Sequence, residues 1–157
     1  MHAPTLFLHG LDSSSKGTKG RYFTENFPDL IAPDFTGSLQ ERLRALEMIC
    51  TGLEQLVMIG SSFGGLMATC FAIAHPDRVQ RLLLLAPALN FPEYSPPASP
   101  LQTPTRLIIG RHDTVTPPDL VIPAARATFM NLEITFCNDD HFLRTAFFAA
   151  DWRKLLT

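Results

Sequence analysis

Short apolar runs alternate with stretches of helical period along the whole chain. The runs are Thr5–Leu8, Leu30–Ala32, Leu56–Ile59, Leu82–Ala86, Thr105–Ile109 and Leu132–Phe136. Most are continuously apolar rather than alternating, the pattern of strands covered on both faces. The clearest helical stretch is Ser38 to Thr51, where Leu39, Leu43, Leu46, Cys50 and Leu53 form a stripe opposite Glu41, Arg42, Arg44 and Glu47. Ser38-Leu39-Gln40-Glu41 supplies a capping box at its start and Gly52 a stop. Phe63 to Ala74 is apolar on nearly every side, which predicts a buried helix ending before Pro76. Thr116-Pro117 reads as an N-cap followed by proline at the first helical position. A last helix, from about His141 to Leu156, would turn Leu143, Phe147 and Ala150 inward. Together these elements predict an α/β fold: one doubly wound, mainly parallel six-stranded sheet with helices on both faces.

One segment breaks the rhythm. Ala86 to Thr105 carries Pro87, Pro92, Pro96, Pro97, Pro100 and Pro104 and no helical period, so it is expected to be a long surface loop. Such loops are often functional, and a proline-stiffened connector is the competing reading. No repeat or internal boundary interrupts the 157 residues, so residues 1–157 are expected to form a single domain with no separate lid domain.

Composition narrows the function classes. Thirteen basic and fifteen acidic residues give a formal net charge of −2, which offers no electrostatic case for nucleic acid or an anionic membrane surface. No apolar run approaches the roughly 18 residues of a membrane-spanning helix. Met1-His2-Ala3-Pro4 leads directly into the first apolar run with no charged segment ahead of it, so no signal peptide is expected. Cys50, Cys70 and Cys137 are odd in number and far apart, which fits a reducing, cytoplasmic setting better than a disulfide framework.

The strongest chemical signal is Gly60-Ser61-Ser62-Phe63-Gly64, directly after one strand and directly before a helix. This is G-x-S-x-G in the context where it forms a nucleophile elbow. A sharp strand-to-helix turn strains the central serine and brings the residues two positions either side into collision, which Gly60 and Gly64 would relieve. Ser62 then projects from the turn, with the first helical amides directed at the reaction centre. A glycine-rich turn without chemistry is the competing reading of the same five residues.

With three further pieces in order, the chain resembles the α/β-hydrolase superfamily, in particular its small lidless serine esterases. The pieces are His9-Gly10 after the first strand, the elbow after the third, Gly110-Arg111-His112-Asp113 after the fifth, and Asp140-His141-Phe142 after the sixth. Family members usually carry eight strands and often a cap domain, so this chain departs from them in size, and the first two strands are expected to be missing. The resemblance implies that the first and third strands here are neighbours whose helices leave on opposite faces. Their carboxyl ends would then form the switch point at which α/β sheets bind ligands. In that arrangement the amides of Leu11, after Gly10, and of Phe63 would face a substrate oxyanion.

Of the five histidines, His141 on the loop after the last strand is the expected base. His2 lies at the terminus, His9 is expected to hold its loop, His75 sits at the far end of the elbow helix, and His112 would point away from the acid. Asp113 is the expected acid. Asp34 follows a strand on the wrong side of the switch point, and Asp139 and Asp140 are too close in sequence to His141 to reach its ring. The expected activity is hydrolysis of carboxylic esters of small or short acyl groups through an acyl-enzyme, with Ser62 attacking, His141 as base and then acid, and Asp113 orienting it. A thioesterase and a silent hydrolase-fold binding protein remain the alternatives. The expected partner is a small acyl ester or thioester, with no metal or other cofactor, no nucleic acid and no membrane. Lys16, Lys19 and Arg21 could meet an anionic substrate, or simply form a solvated loop. Phe91 and Tyr94 could line the acyl pocket, or be plain surface aromatics.

Overall fold

Alternate residues along the central strands bury on opposite sides of one sheet. Leu82 and Leu84 join one apolar layer with Leu6, Leu8 and Met58, while Leu83 and Leu85 join a second with Phe7 and Ile59. The computed structural model describes residues 3–157; Met1 and His2, and with them the start of the segment read for a signal peptide, lie outside the described residues. The elements in order are β1 (Thr5–Leu8), α1 (Thr18–Asn26), α2 (Leu39–Ile49), β2 (Leu56–Ser61), α3 (Phe63–Ala74), β3 (Val79–Leu85), β4 (Thr105–Gly110), α4 (Pro118–Thr128), β5 (Leu132–Cys137), α5 (Arg144–Ala149) and α6 (Trp152–Leu155).

The sheet has five strands in the order β1-β2-β3-β4-β5, every pair parallel. It corrects the six-stranded expectation at Leu30–Ala32. There only Ile31 reaches the sheet, donating its amide to the Thr5 carbonyl and accepting from the Phe7 amide, both at 2.9 Å. Pro33 has no N–H to continue the ladder, so the run ends as a single bridge on the outer side of β1.

The first layer is covered by α2, α3 and α4 through Leu46, Leu66, Phe71 and Val121. The second is covered by α1, α5 and α6 through Phe23, Phe147 and Trp152. Each such fully buried apolar side chain contributes roughly 1.5–3 kcal/mol, so both layers pin the strands. Because α1 lies on one face and α3 on the other, the chain leaves β1 and β2 in opposite directions. A crevice opens where their carboxyl ends meet.

Helix boundaries follow local chemistry. Ser38 accepts from the Glu41 amide and the Glu41 carboxylate accepts from the Ser38 amide, the full capping box. On α2, however, Arg42 is buried beside Leu39 and Leu46, not on the outer face where its charge would place it. The N-cap of α4 is Pro117, one residue later than expected, because Thr116 turns back toward Asp113. The single last helix is two short ones, broken where Ala150 is extended and Asp151 caps α6 by accepting from the Lys154 amide. Their start at Arg144 leaves His141 on a loop.

Candidate active site

The pairing of Leu8 with Gly60 sets the ends of β1 and β2 side by side, so that His9 and Gly10 run past the elbow. Ser62 has φ 55° and ψ −115°, a positive φ that non-glycine residues adopt at a cost of about 1–3 kcal/mol. The surroundings hold it there: its amide donates to the Leu85 carbonyl at 2.9 Å, and its own carbonyl accepts from the amides of Gly65 and Ala88, each at 2.9 Å. A methyl at Gly60 would run into the Gly64 carbonyl, and one at Gly64 into the Leu8 carbonyl. Both glycines are therefore required for the turn to close over β1. Gly10 differs, since a methyl there would rest 3.6 Å from the Ser62 Cβ in ordinary contact.

Three side chains from separate loops meet above this turn. The Ser62 hydroxyl donates to Nε2 of His141 at 3.0 Å, and Nδ1 of His141 donates to Oδ2 of Asp113 at 2.9 Å. A carboxylate only accepts, so this partner puts the imidazole proton on Nδ1 and leaves Nε2 free to take the serine proton. The Asp113 side chain is fully buried and its acceptors are well supplied. Oδ1 accepts from the amides of Val115 at 2.9 Å and Thr116 at 2.8 Å. Oδ2 accepts from the Thr116 hydroxyl at 2.8 Å as well as from His141. Burying a carboxylate is costly unless it is hydrogen-bonded, and here four donors offset that cost.

Thr116, which the sequence predicts as a helix cap, is thus a member of the site. Its oxygen also lies 3.1 Å from Nδ1 of His141 and 3.2 Å from the Ala86 carbonyl. A Thr-Pro pair before a helix gives no hint that the hydroxyl turns backward.

Neither the Leu11 nor the Phe63 amide donates to another group among the described residues. Phe63 opens α3, whose first amides have no partner inside the helix. His9 is buried and fully engaged: Nδ1 donates to the Gly10 carbonyl at 2.7 Å, and Nε2 accepts from the Phe35 amide at 2.9 Å. It therefore braces the loop that carries Leu11.

The other acids and bases are occupied elsewhere. Asp34 accepts from the amide and hydroxyl of Ser15, which hold its carboxyl below the usual range. His75 pairs with Glu47, and His112 with Asn138. Burial raises the Asp139 pKa, but the Ala146 and Thr145 amides outweigh it and leave the carboxyl below the usual range. Asp140 accepts from the Phe142 amide, so both acids shape the turn that presents His141. Burial pushes the thiols of Cys50, Cys70 and Cys137 up to about 11, away from the thiolate form. Among the described residues, no three His, Cys, Asp or Glu side chains converge as a metal site.

A cavity of about 750 Å³ opens over Ser62, with Ser62 and His141 in its wall. Phe63 and Phe91 meet edge to face at one side, their ring centres 5.5 Å apart. Leu11, Val115 and Phe142 form a rim in which each is at least half exposed. Of the proline-rich loop, Ala88, Asn90, Phe91 and Pro92 reach this cavity, whereas Tyr94 turns away to bond the Thr128 hydroxyl on α4. Of Lys16, Lys19 and Arg21, which could meet an anionic substrate or form a solvated loop, only Lys19 lines the cavity, where its ammonium donates to the Phe142 carbonyl at 2.7 Å.

The fold and the elbow define an α/β-hydrolase, and comparison with known proteins agrees. The alpha/beta hydrolase fold family matches residues 8–103, so the chain belongs to that family; Asp113 and His141 lie beyond the matched segment. Among curated relatives, homoserine O-acetyltransferase of Thermus thermophilus is 36% identical over 74 residues, 46% of this chain and 18% of the relative. The 2-hydroxymuconate semialdehyde hydrolase of Pseudomonas putida is 28% identical over 109 residues, 57% of this chain and 38% of the relative. The chain therefore matches well under half the length of either relative. Solved structures share the fold over nearly all of it. An α/β-superfamily protein of Xanthomonas campestris pv. campestris superposes with a TM-score of 0.82 at 24% identity, covering 99% of this chain and 98% of that one. Est1E of Butyrivibrio proteoclasticus, solved with ferulic acid bound, gives 0.73 at 16% identity over 98% of this chain and 89% of its own. No helix among the described residues is long and apolar enough to cross a membrane.

Proposed function

We propose that this protein is a serine hydrolase that cleaves carboxylic esters of small or short acyl groups through an acyl-enzyme. The observation that carries this reading is the unbroken chain from Ser62 through His141 to Asp113, at 3.0 Å and 2.9 Å, beside two unpaired amides. Ser62 Oγ attacks the ester carbonyl while Nε2 of His141 takes its proton. The carbonyl electron pair moves to oxygen, where the Leu11 and Phe63 amides receive the charge. Collapse of the tetrahedral species expels the alcohol, which takes its proton from His141. Water then repeats the sequence and releases the acid. Loss of one oxyanion donor typically costs about 3–4 kcal/mol of transition-state stabilisation. The apolar rim of Leu11, Val115 and Phe142 offers a shallow seat for a short acyl or alcohol group. Hydrolysis of a panel of p-nitrophenyl esters and matched thioesters by the wild type, with no turnover by Ser62→Ala, is the test. Preference for the thioesters would move the assignment to a thioesterase, and no turnover of either would leave a binding protein.

A further inference from the structure

Arg42 is the one charge on α2 that the helix buries, at 4% exposure. No carboxylate forms an ion pair with it among the described residues. Its Nε donates to the Gly37 carbonyl at 3.0 Å, and its Nη2 donates to the Leu11 carbonyl at 3.2 Å. The guanidinium lies over the Phe63 ring, 5.2 Å from its centre, and Phe91 meets the same ring edge to face at 5.5 Å. Its Nη1 is buried with no acceptor among the described residues. A buried guanidinium that forms no ion pair, feels the Asp12 carboxylate only at a distance and keeps an unmet donor is a poor device for stability, because apolar side chains fill such a space at less cost. What it does is touch both of the residues proposed to supply oxyanion amides, Leu11 through the carbonyl and Phe63 through the ring.

We propose that Arg42 is a positioning residue that locks the Leu11 loop and the Phe63 end of α3 into one oxyanion pocket. The proposal rests on the hydrolase reading above. Holding the Leu11 carbonyl fixes the Leu11–Asp12 peptide plane and, through the single Cα between, restrains the Gly10–Leu11 plane that carries the Leu11 amide. Holding the Phe63 ring fixes the first residue of α3, whose amide is the second donor. Two donors on separate loops must converge on a single oxygen, and a misplacement of about 1 Å costs on the order of a hundredfold in rate. Arginine fits this role where lysine does not, because its planar fork reaches two carbonyls while its face covers a ring.

The test compares Arg42→Lys and Arg42→Met with the wild type. Each is assayed on a short p-nitrophenyl ester, with a trifluoromethyl ketone that forms a tetrahedral oxyanion adduct, and with the matching unreactive amide. We expect kcat/KM to fall roughly 10- to 100-fold in both variants, ketone affinity to fall by the same factor, and amide affinity to stay at the wild-type value. Unchanged kcat/KM, or equal losses for ketone and amide, would overturn the proposal. Failure of both variants to fold would also overturn it, by making Arg42 a fold residue only. Wild-type labelling of Ser62 by a fluorophosphonate separates the two levels. If it is absent, the hydrolase reading fails and the proposal with it; if it is present, only the role of Arg42 is at stake.

Discussion

His141 Nε2 stands 3.0 Å from Ser62 Oγ, although 79 positions separate the two residues. Nothing local joins them. Ser62 is held by the elbow between β2 and α3, and His141 by a loop whose turn is fastened by Asp139 and Asp140. Because every strand is parallel, the sheet brings the loops after β2 and β5 to the same carboxyl end.

Asp113 and Thr116 are predicted to act on rate rather than on stability or substrate binding. Asp113→Asn replaces an acceptor by a group that can turn its NH₂ toward His141 and favour the wrong tautomer. A loss in kcat of roughly 10³- to 10⁴-fold is expected, with Ser62 still folded into place. Thr116→Val removes one hydrogen bond from the Asp113 carboxylate, for a loss of roughly tenfold. Steady-state kinetics with a thermal melt of each variant checks both values. A tenfold or smaller loss for Asp113→Asn would remove it from the acid role.

Acid is predicted to loosen the histidine loop through Asp139. Its folded pKa lies below the ordinary value, so the native state binds fewer protons than the unfolded chain in that range. The stability this supplies is present above about pH 4 and is lost as pH falls through the folded value. The Asp139→Asn variant, which has no such proton to bind, should show a flatter fall in melting temperature below pH 4 than the wild type. Melting curves between pH 3 and pH 7 check this, and identical slopes for the two proteins would contradict it.

Acyl length is predicted to stop mattering early. Each CH₂ that finds apolar cover gains up to about 0.8 kcal/mol, or roughly fourfold in kcat/KM. The cavity is open, and the segment after β3 contributes only Ala88, Asn90, Phe91 and Pro92 to it and no helix. We expect kcat/KM to level off near butyryl or hexanoyl esters, with no rate jump at an oil–water interface. A steady rise through palmitoyl would contradict this and require a deeper tunnel.

Much of this architecture is legible in the sequence, for physical reasons that also mark where legibility stops. Continuous apolar runs such as Leu56–Ile59 and Leu82–Ala86 are too short for helices and read as strands buried on both faces, and the glycines around Ser62 read directly as steric requirements. The run at Leu30–Ala32 looks alike, yet a ladder needs donors as well as apolar side chains, and Pro33 has none. A helical stripe sorts residues by charge and so places Arg42 in solvent, whereas carbonyls at Gly37 and Leu11 and the Phe63 ring receive it inside. Thr116 and the break at Ala150 depend on which of several possible hydrogen bonds wins, and only the assembled loops decide that.

The central claim is that Ser62 is a nucleophile activated by His141. Its most direct test is time-resolved labelling by a fluorophosphonate, with the modified residue located by peptide mass mapping. One equivalent of label is expected on Ser62 and none on Ser62→Ala, with labelling of His141→Gln slowed by several orders of magnitude. Label on Ser61 or another serine, or labelling of His141→Gln at the wild-type rate, would contradict it.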